Sequence, residues 1–399
     1  VRIAGGLPKR LATLSTVVSL IFLAMGEVWA QAVHSPLVIG LTAEFSMPGS
    51  HAAQAIEKGI QLAIHEINSR GGVLGRELAL AKRDDRGVPA RAIDNFSAFA
   101  ANPDVVAVFC GRFSPVAIEL APLANALRVP LLDPWAAADE IVRQSTPNFV
   151  FRLSLTDTWA MEVLLSHARG RGFNKLLLML PNNGWGRSSE AAALRHANSM
   201  RNLQLSVAWY NWGDTDFSSH LVRTQEGGAQ AVIMVANEFE GARIVQQMAS
   251  LPPAQRVPII SHWGIVAGDF PAATGDALRS VDLVVVQTFN FNSMGSHRGQ
   301  QVAAGFKRKF GVDVEDLHAQ AGFAHAYDLT HLLAAALAKA GSPIRSSIRD
   351  AFERIDGYEG LVRNYRHPFG PRDHEALDRS QLFLARFDAK GILRPIAKR

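Results

Sequence analysis

Short apolar runs alternate with amphipathic helical stretches along most of this chain, and that alternation leaves few architectures open. The runs are Leu37–Leu41, Val105–Phe109, Leu176–Leu180, Ala231–Val235, Val257–Ile260 and Leu283–Val286. Being apolar at successive positions, they read as strands covered on both faces, the habit of parallel sheets. The clearest helix lies between the first two runs. It sets Ile56, Ile60, Ala63, Ile64 and Ile67 on one face and Glu57, Lys58, Gln61, His65 and Glu66 on the other, and ends at Asn68 and Gly71-Gly72, a 3.6-residue period with a glycine stop. Repeated strand–helix units predict an α/β fold of doubly wound parallel sheets with right-handed crossovers. With 399 residues, two lobes are expected rather than one oversized core.

Composition narrows the partners. Lys+Arg exceeds Asp+Glu by 41 − 36 = 5, and 19% of residues are charged, far from a disordered tail or a strongly basic nucleic-acid binder. Arg2, Lys9 and Arg10 precede an apolar run from Leu11 to Met25 and then Val28-Trp29-Ala30. This is the layout of a secretory signal peptide over residues 1–30, cut before Gln31. The apolar run is shorter than the roughly 20 residues that span a bilayer, so no membrane insertion of the mature chain is expected. The single cysteine, Cys110, ends an apolar run and reads as a buried thiol, with no intramolecular disulfide.

Ligands of open α/β sheets bind beyond the carboxyl ends of the strands, so the loops after each run carry the information. They are Glu44-Phe45-Ser46-Met47-Pro48, Gly111-Arg112-Phe113-Ser114-Pro115, Asp133-Pro134-Trp135, Asn183-Gly184-Trp185-Gly186 and Ser261-His262-Trp263-Gly264. Three indoles in loops of one strand-end face point to a stacking pocket.

The stretch Val38-Ile39-Gly40, Gly59 to Asn68, Gly71-Gly72-Val73-Leu74-Gly75-Arg76 and Asp84-Asp85 resembles the opening of the leucine/isoleucine/valine-binding family of periplasmic solute-binding proteins. The similarity continues in order through Ala121-Pro122, Val129-Pro130-Leu131, Phe151-Arg152, Trp185-Gly186, Asp216-Phe217 and Ala326-Tyr327-Asp328. The resemblance implies the type I periplasmic binding fold, two lobes joined by three crossing segments that close on a small solute. Residues 31–150 with 265–366 form the first lobe in that pattern, and 151–264 with 367–399 the second. It also implies a periplasmic monomer serving an ABC permease of the inner membrane, with no cofactor and no metal.

Carried over by position, the serine hydroxyl that helps hold the ligand's carboxylate falls on Ser114, at a helix start that adds N–H donors. The first-loop aromatic falls on Ala52, a Ser/Thr position on Ala137, and a small residue on Trp135. The stacking Tyr of the second lobe falls on Trp185, a second Tyr near Asn237, and the acidic partner of the ligand's ammonium on Trp263 at a crossing. Arg112, Ser46 and Glu240 complete the expected set. A buried ammonium without a carboxylate is costly, so an aromatic or apolar carboxylate is the leading solute. A methylated ammonium caged by the indoles stays open, as does a branched-chain amino acid served by Glu238 or Glu240. A soluble sensor subunit for a membrane receptor is the alternative role.

Enzyme motifs are missing: Ser114 has no G-x-S-x-G context, and no G-x-G-x-x-G or phosphate loop occurs. His318, His325 and His331 are expected on the solvated face of one helix rather than around a metal. Asp84-Asp85, beside Arg83 and Arg86, reads as a salt-bridged surface turn, and His367 and His374 as flanking a structural turn.

Overall fold

The computed structural model describes residues 1–2, 35–143, 146–293 and 296–396; all but the first two residues of the expected signal peptide lie outside these. From Pro36 onward the chain forms one compact unit built on two large sheets. The first contains β1 (Leu37–Ala43), β2 (Leu78–Asp84), β3 (Val105–Cys110), β4 (Leu131–Asp133) and β5 (Val150–Arg152), all parallel in the order β2-β1-β3-β4-β5. The intervening helices are α1 (Ala52–Asn68), α2 (Pro89–Ala100) and α3 (Ser114–Leu127). The predicted amphipathic helix is α1, and it buries Ile56, Ile60, Ala63 and Ile67 as expected. Gly72 ends this segment with φ +74°, where a Cβ would meet the Arg76 carbonyl at 2.1 Å.

The second sheet repeats the same winding. After α4 (Asp157–Gly170) come β6 (Lys175–Pro181), α5 (Gly184–Ala197), β7 (Gln204–Tyr210), α6 (Ser218–Glu226), β8 (Ala231–Met234), α7 (Glu238–Ser250) and β9 (Ile259–Ser261). Short helices α8 (Phe270–Thr274) and α9 (Ala277–Ser280) lead to β10 (Leu283–Gln287). The parallel strands run β7-β6-β8-β9-β10, the order of the first sheet over again. The chain then returns to the first sheet through α10 (His297–Phe310), α11 (Gln320–Ala340), α12 (Arg345–Phe352) and the hairpin of β11 (Tyr358–Glu359) with β12 (Asn364–Tyr365). Finally β13 (Phe383–Phe387) and β14 (Leu393–Pro395) add antiparallel strands to the second sheet beside β10.

Four expectations are corrected by the structure. Ile265 to Gln287 stays with the second sheet instead of opening a return to the first, because β10 is buried along its length between β9 and β13. The second crossing therefore falls between Gln287 and His297, and Trp263, in the turn after β9, belongs to the second lobe rather than to a crossing. The histidines do not share a solvated face. His318 precedes α11, while His325 and His331 are buried. His325 bonds the Pro134 carbonyl (2.9 Å) and the Thr288 hydroxyl (3.0 Å), and burial pulls its pKa down to about 4. The surface-turn reading holds for Asp84 alone. Asp85 is buried, accepting from Thr42 and from the Gly87 N–H, and desolvation raises its pKa to about 6. Cys110 is buried. Among the described residues no helix is long and apolar enough to cross a membrane.

Candidate functional site

In each sheet the strand order reverses beside the first strand, at β1/β3 and at β6/β8. Crossover helices leave in opposite directions there, so a crevice opens at the carboxyl ends of those strands. The first crevice is lined by Arg112, Phe113 and Ser114 after β3, and the second by Trp185 after β6 and Asn237 after β8. The two face each other, joined by Trp135 and Ala137 after β4 and by Trp263 and Gly264 after β9, around a cavity of about 10 Å³. That is room for about one water, so the lobes are closed on each other.

Six of the eight residues expected from sequence come together here: Arg112, Ser114, Trp135, Trp185, Asn237 and Trp263. The other two do not. Ser46 is exposed and donates its hydroxyl to Asp84 at the end of β2. Glu240 is buried one turn into α7, where it accepts the Gly213 N–H at 2.9 Å, and desolvation raises its pKa. Phe113, Ala137 and Gly264 also line the cavity. Phe113 was visible only as the neighbour of Arg112 and Ser114; its ring meets Trp212 of the second lobe at 5.0 Å.

Ser114 is the first residue of α3, and its Oγ accepts the N–H groups of Ala137 (3.1 Å) and Ala138 (3.2 Å). With the acceptor side of the hydroxyl occupied, its proton remains to be donated. Asn237 caps α7 by position, yet its amide makes no cap hydrogen bond. The Trp135 and Trp263 rings are in tilted contact, with centroids 4.9 Å apart and planes 30° apart. Close packing fixes the indoles from behind: a Cβ on Gly322 would come within 2.6 Å of Trp135, and one on Gly264 within 2.6 Å of Trp185. The Trp185 indole N–H donates to the buried Asp157, a residue that sequence reasoning missed because a lone Asp after an apolar strand gives no signal.

Charge is arranged asymmetrically. Among the described residues no carboxylate lines the cavity, whereas one guanidinium does. That guanidinium is already engaged. Arg112 makes a bidentate pair with Glu238 at the start of α7 (2.6 and 2.8 Å), and its Nε lies 3.3 Å from Glu44 after β1. Burial raises the Glu44 carboxyl, with Arg112 opposing. Further contacts across the cleft run from His51 N–H to Ala267 O (2.8 Å), from Asp139 N–H to Ser188 Oγ (2.9 Å) and from Arg195 to Asp139 (2.7 Å).

Residues 36–391 match the family described as Periplasmic binding protein. A Leu/Ile/Val-binding protein homolog 1 of Brucella abortus strain 2308 is 24% identical over 261 residues, 64% of this chain and 67% of that one. A periplasmic binding protein type 1 from Bordetella pertussis Tohama I shares the fold with a TM-score of 0.81 at 19% identity, covering 91% of this chain and all of its own. A solute-binding protein of an ABC transporter from R. palustris, in complex with 4-hydroxybenzoate, does so with a TM-score of 0.77 at 18% identity, covering 91% and 96%.

Proposed function

Given that this chain belongs to the periplasmic binding protein family, whose members bind solutes and are not enzymes, we propose that it is the exported, monomeric binding subunit of an ABC importer. Its solute in this reading is a small organic acid with an aromatic or apolar body. One observation carries the choice: the cleft presents a donor hydroxyl at a helix start and three indoles, and among the described residues no carboxylate lines it. A ligand carboxylate would take the Ser114 hydroxyl and the first N–H of α3, where the helix favours an anion. The body would lie against Trp185 and beside the Trp135–Trp263 pair, whose rings are already in contact at 4.9 Å, with the Asn237 amide free to meet a polar substituent. An ammonium placed among these residues would lose its hydration without gaining a counter-charge.

A second reading is favoured by a specific feature. Glu238 stands just behind the lining, and if Arg112 is left to Glu44 its carboxylate can receive an ammonium. That is the branched-chain amino acid reading, in line with the name of the Brucella relative.

The deciding experiment is a thermal-shift panel on the chain from Gln31 with leucine, valine, aromatic amino acids, the corresponding deaminated acids, hydroxybenzoates and betaines. A ligand at a hundred times its Kd adds about 2.7 kcal/mol to the folded state. Stabilisation by acids alone supports the first reading; stabilisation by leucine or valine replaces it with the second. Stabilisation by betaines alone overturns both.

A further inference from the structure

Asp157 is the first residue of α4, directly after the first crossing between the lobes. Its side chain is fully buried, and a single carboxylate oxygen, Oδ1, gathers three groups of the second lobe. The Trp185 indole N–H donates to it at 3.2 Å, the Ser189 hydroxyl at 3.0 Å, and His262 Nε2 lies 3.1 Å away. The His262 contact is short but off the line of a hydrogen bond, and both His262 Nε2 and Asp157 Oδ2 are without a hydrogen-bond partner. On its other side His262 Nδ1 accepts the main-chain N–H of Trp263 at 3.0 Å. Since Nδ1 accepts, a neutral ring carries its proton on Nε2. The main chain of Asp157 reaches the first lobe as well, its N–H donating to Ala137 O at 2.8 Å, two residues after Trp135.

One residue thus touches the loops of all three indoles, at the point where a closing movement must pass. We propose that Asp157 is the positioning residue of this cleft: it fixes Trp185 directly and the Trp263 turn through His262, in the orientation that stacks on the solute. This deepens the solute-binding reading and rests on it. The unspent Oδ2 and Nε2 belong to the same argument. Buried polar groups are rarely left unpaired, and these two are neighbours across one carboxylate, so a small rotation of Asp157 that follows Trp185 as the cleft widens lets them bond. The arrangement therefore holds the indoles in place yet leaves them one adjustment.

The test separates positioning from binding. Near-ultraviolet circular dichroism of the ligand-free protein, compared between wild type and Trp185→Phe, isolates the signal of Trp185. Asp157→Asn is expected to alter that same signal, with little further change on adding it to Trp185→Phe. Ser189→Ala, which removes another donor from the same oxygen, is expected to leave it alone. Asp157→Glu, which moves the carboxylate by one methylene, serves if the Asn variant does not fold, and is expected to shift the Trp185 signal too. An unchanged Trp185 signal in the Asp157 variants overturns the proposal, as does a uniform loss of every aromatic band, the mark of a merely structural group. With 4-hydroxybenzoate or leucine, whichever stabilises wild type, Asp157→Asn is expected to weaken binding about tenfold, the scale of a hydrogen bond to a charged group. The losses from Asp157→Asn and Trp185→Phe are then less than additive, and full additivity counts against the proposal. If neither probe binds wild type, the ligand-free spectra still decide the role of Asp157.

Discussion

The Arg112–Glu238 pair is a buried, bidentate charged contact across the cleft, and replacing Glu238 with Gln asks how far it sets the closed state. The pair is bidentate at 2.6 and 2.8 Å, and the two side chains are 2% and 11% exposed. Truncating one partner of such a buried pair costs about 2–5 kcal/mol, much of it the penalty on the charge left behind. Here that penalty is reduced, because Arg112 keeps Glu44, a neighbour on its own lobe, and because opening lets water reach both groups. Gln also retains one acceptor. A loss near the bottom of the range, about 2 kcal/mol, is therefore expected on the closed state relative to the open one, a shift of about 30-fold in their ratio. Small-angle scattering of the ligand-free chain reads this directly: Glu238→Gln should show a larger radius of gyration than wild type and contract when a solute from the panel is added. Superimposable ligand-free curves would refute the reasoning, since the pair would then contribute nothing to closure.

Trp185→Ala should weaken binding of the identified solute by about 1–3 kcal/mol in a calorimetric titration if the indole stacks on it; unchanged affinity removes Trp185 from the site. Gly322→Ala should destabilise the fold by about 1–3 kcal/mol through overpacking against Trp135, visible as a lower denaturant midpoint. For His325, burial holds the pKa near 4 in the fold against 6.5 in the unfolded chain. The unfolded state then binds more protons between those values, so its contribution is fully present above pH 6.5 and is lost as pH falls towards 4. Urea titrations across that window should show a shallower acid loss for His325→Gln than for wild type, and parallel curves would exclude the histidine as a cause. Ser114→Ala should weaken carboxylate solutes and leave the Ala137 and Ala138 N–H groups unpaired, so affinity and stability are both expected to fall.

The alternation of apolar runs with helical stretches was enough to place six of the parallel strands, because a strand buried on both faces writes its burial into consecutive residues. Strands whose exposure alternates or whose length is short left no such mark: β7, Gln-Leu-Ser-Val-Ala-Trp-Tyr, alternates between more and less exposed positions, and β4 and β5 have three residues each. The loops that would bear the site were legible for the same topological reason, and they contain Arg112, Ser114, Trp135, Trp185 and Trp263, whereas Asn237 was legible only through the family resemblance. The choice among polar residues in those loops was not legible. Ser46 and Glu240 have the same local claim as Ser114, and only the packing shows that one hydroxyl meets Asp84 while that carboxylate meets Gly213. Burial of Asp85, His325 and His331 was equally hidden, since a polar residue is stable inside only through partners that arrive from distant segments.

By itself, then, the sequence determined the class of fold, the repeated winding and the set of loops that face the cleft, because these follow from periodicity along the chain. Only the tertiary structure decided that β10 stays with the second sheet, that Glu238 answers Arg112 across 126 positions, and that Asp157 stands under Trp185 and beside His262. Each of those depends on distances between residues far apart in the chain, and such distances are set by how the elements pack rather than by the order in which they occur.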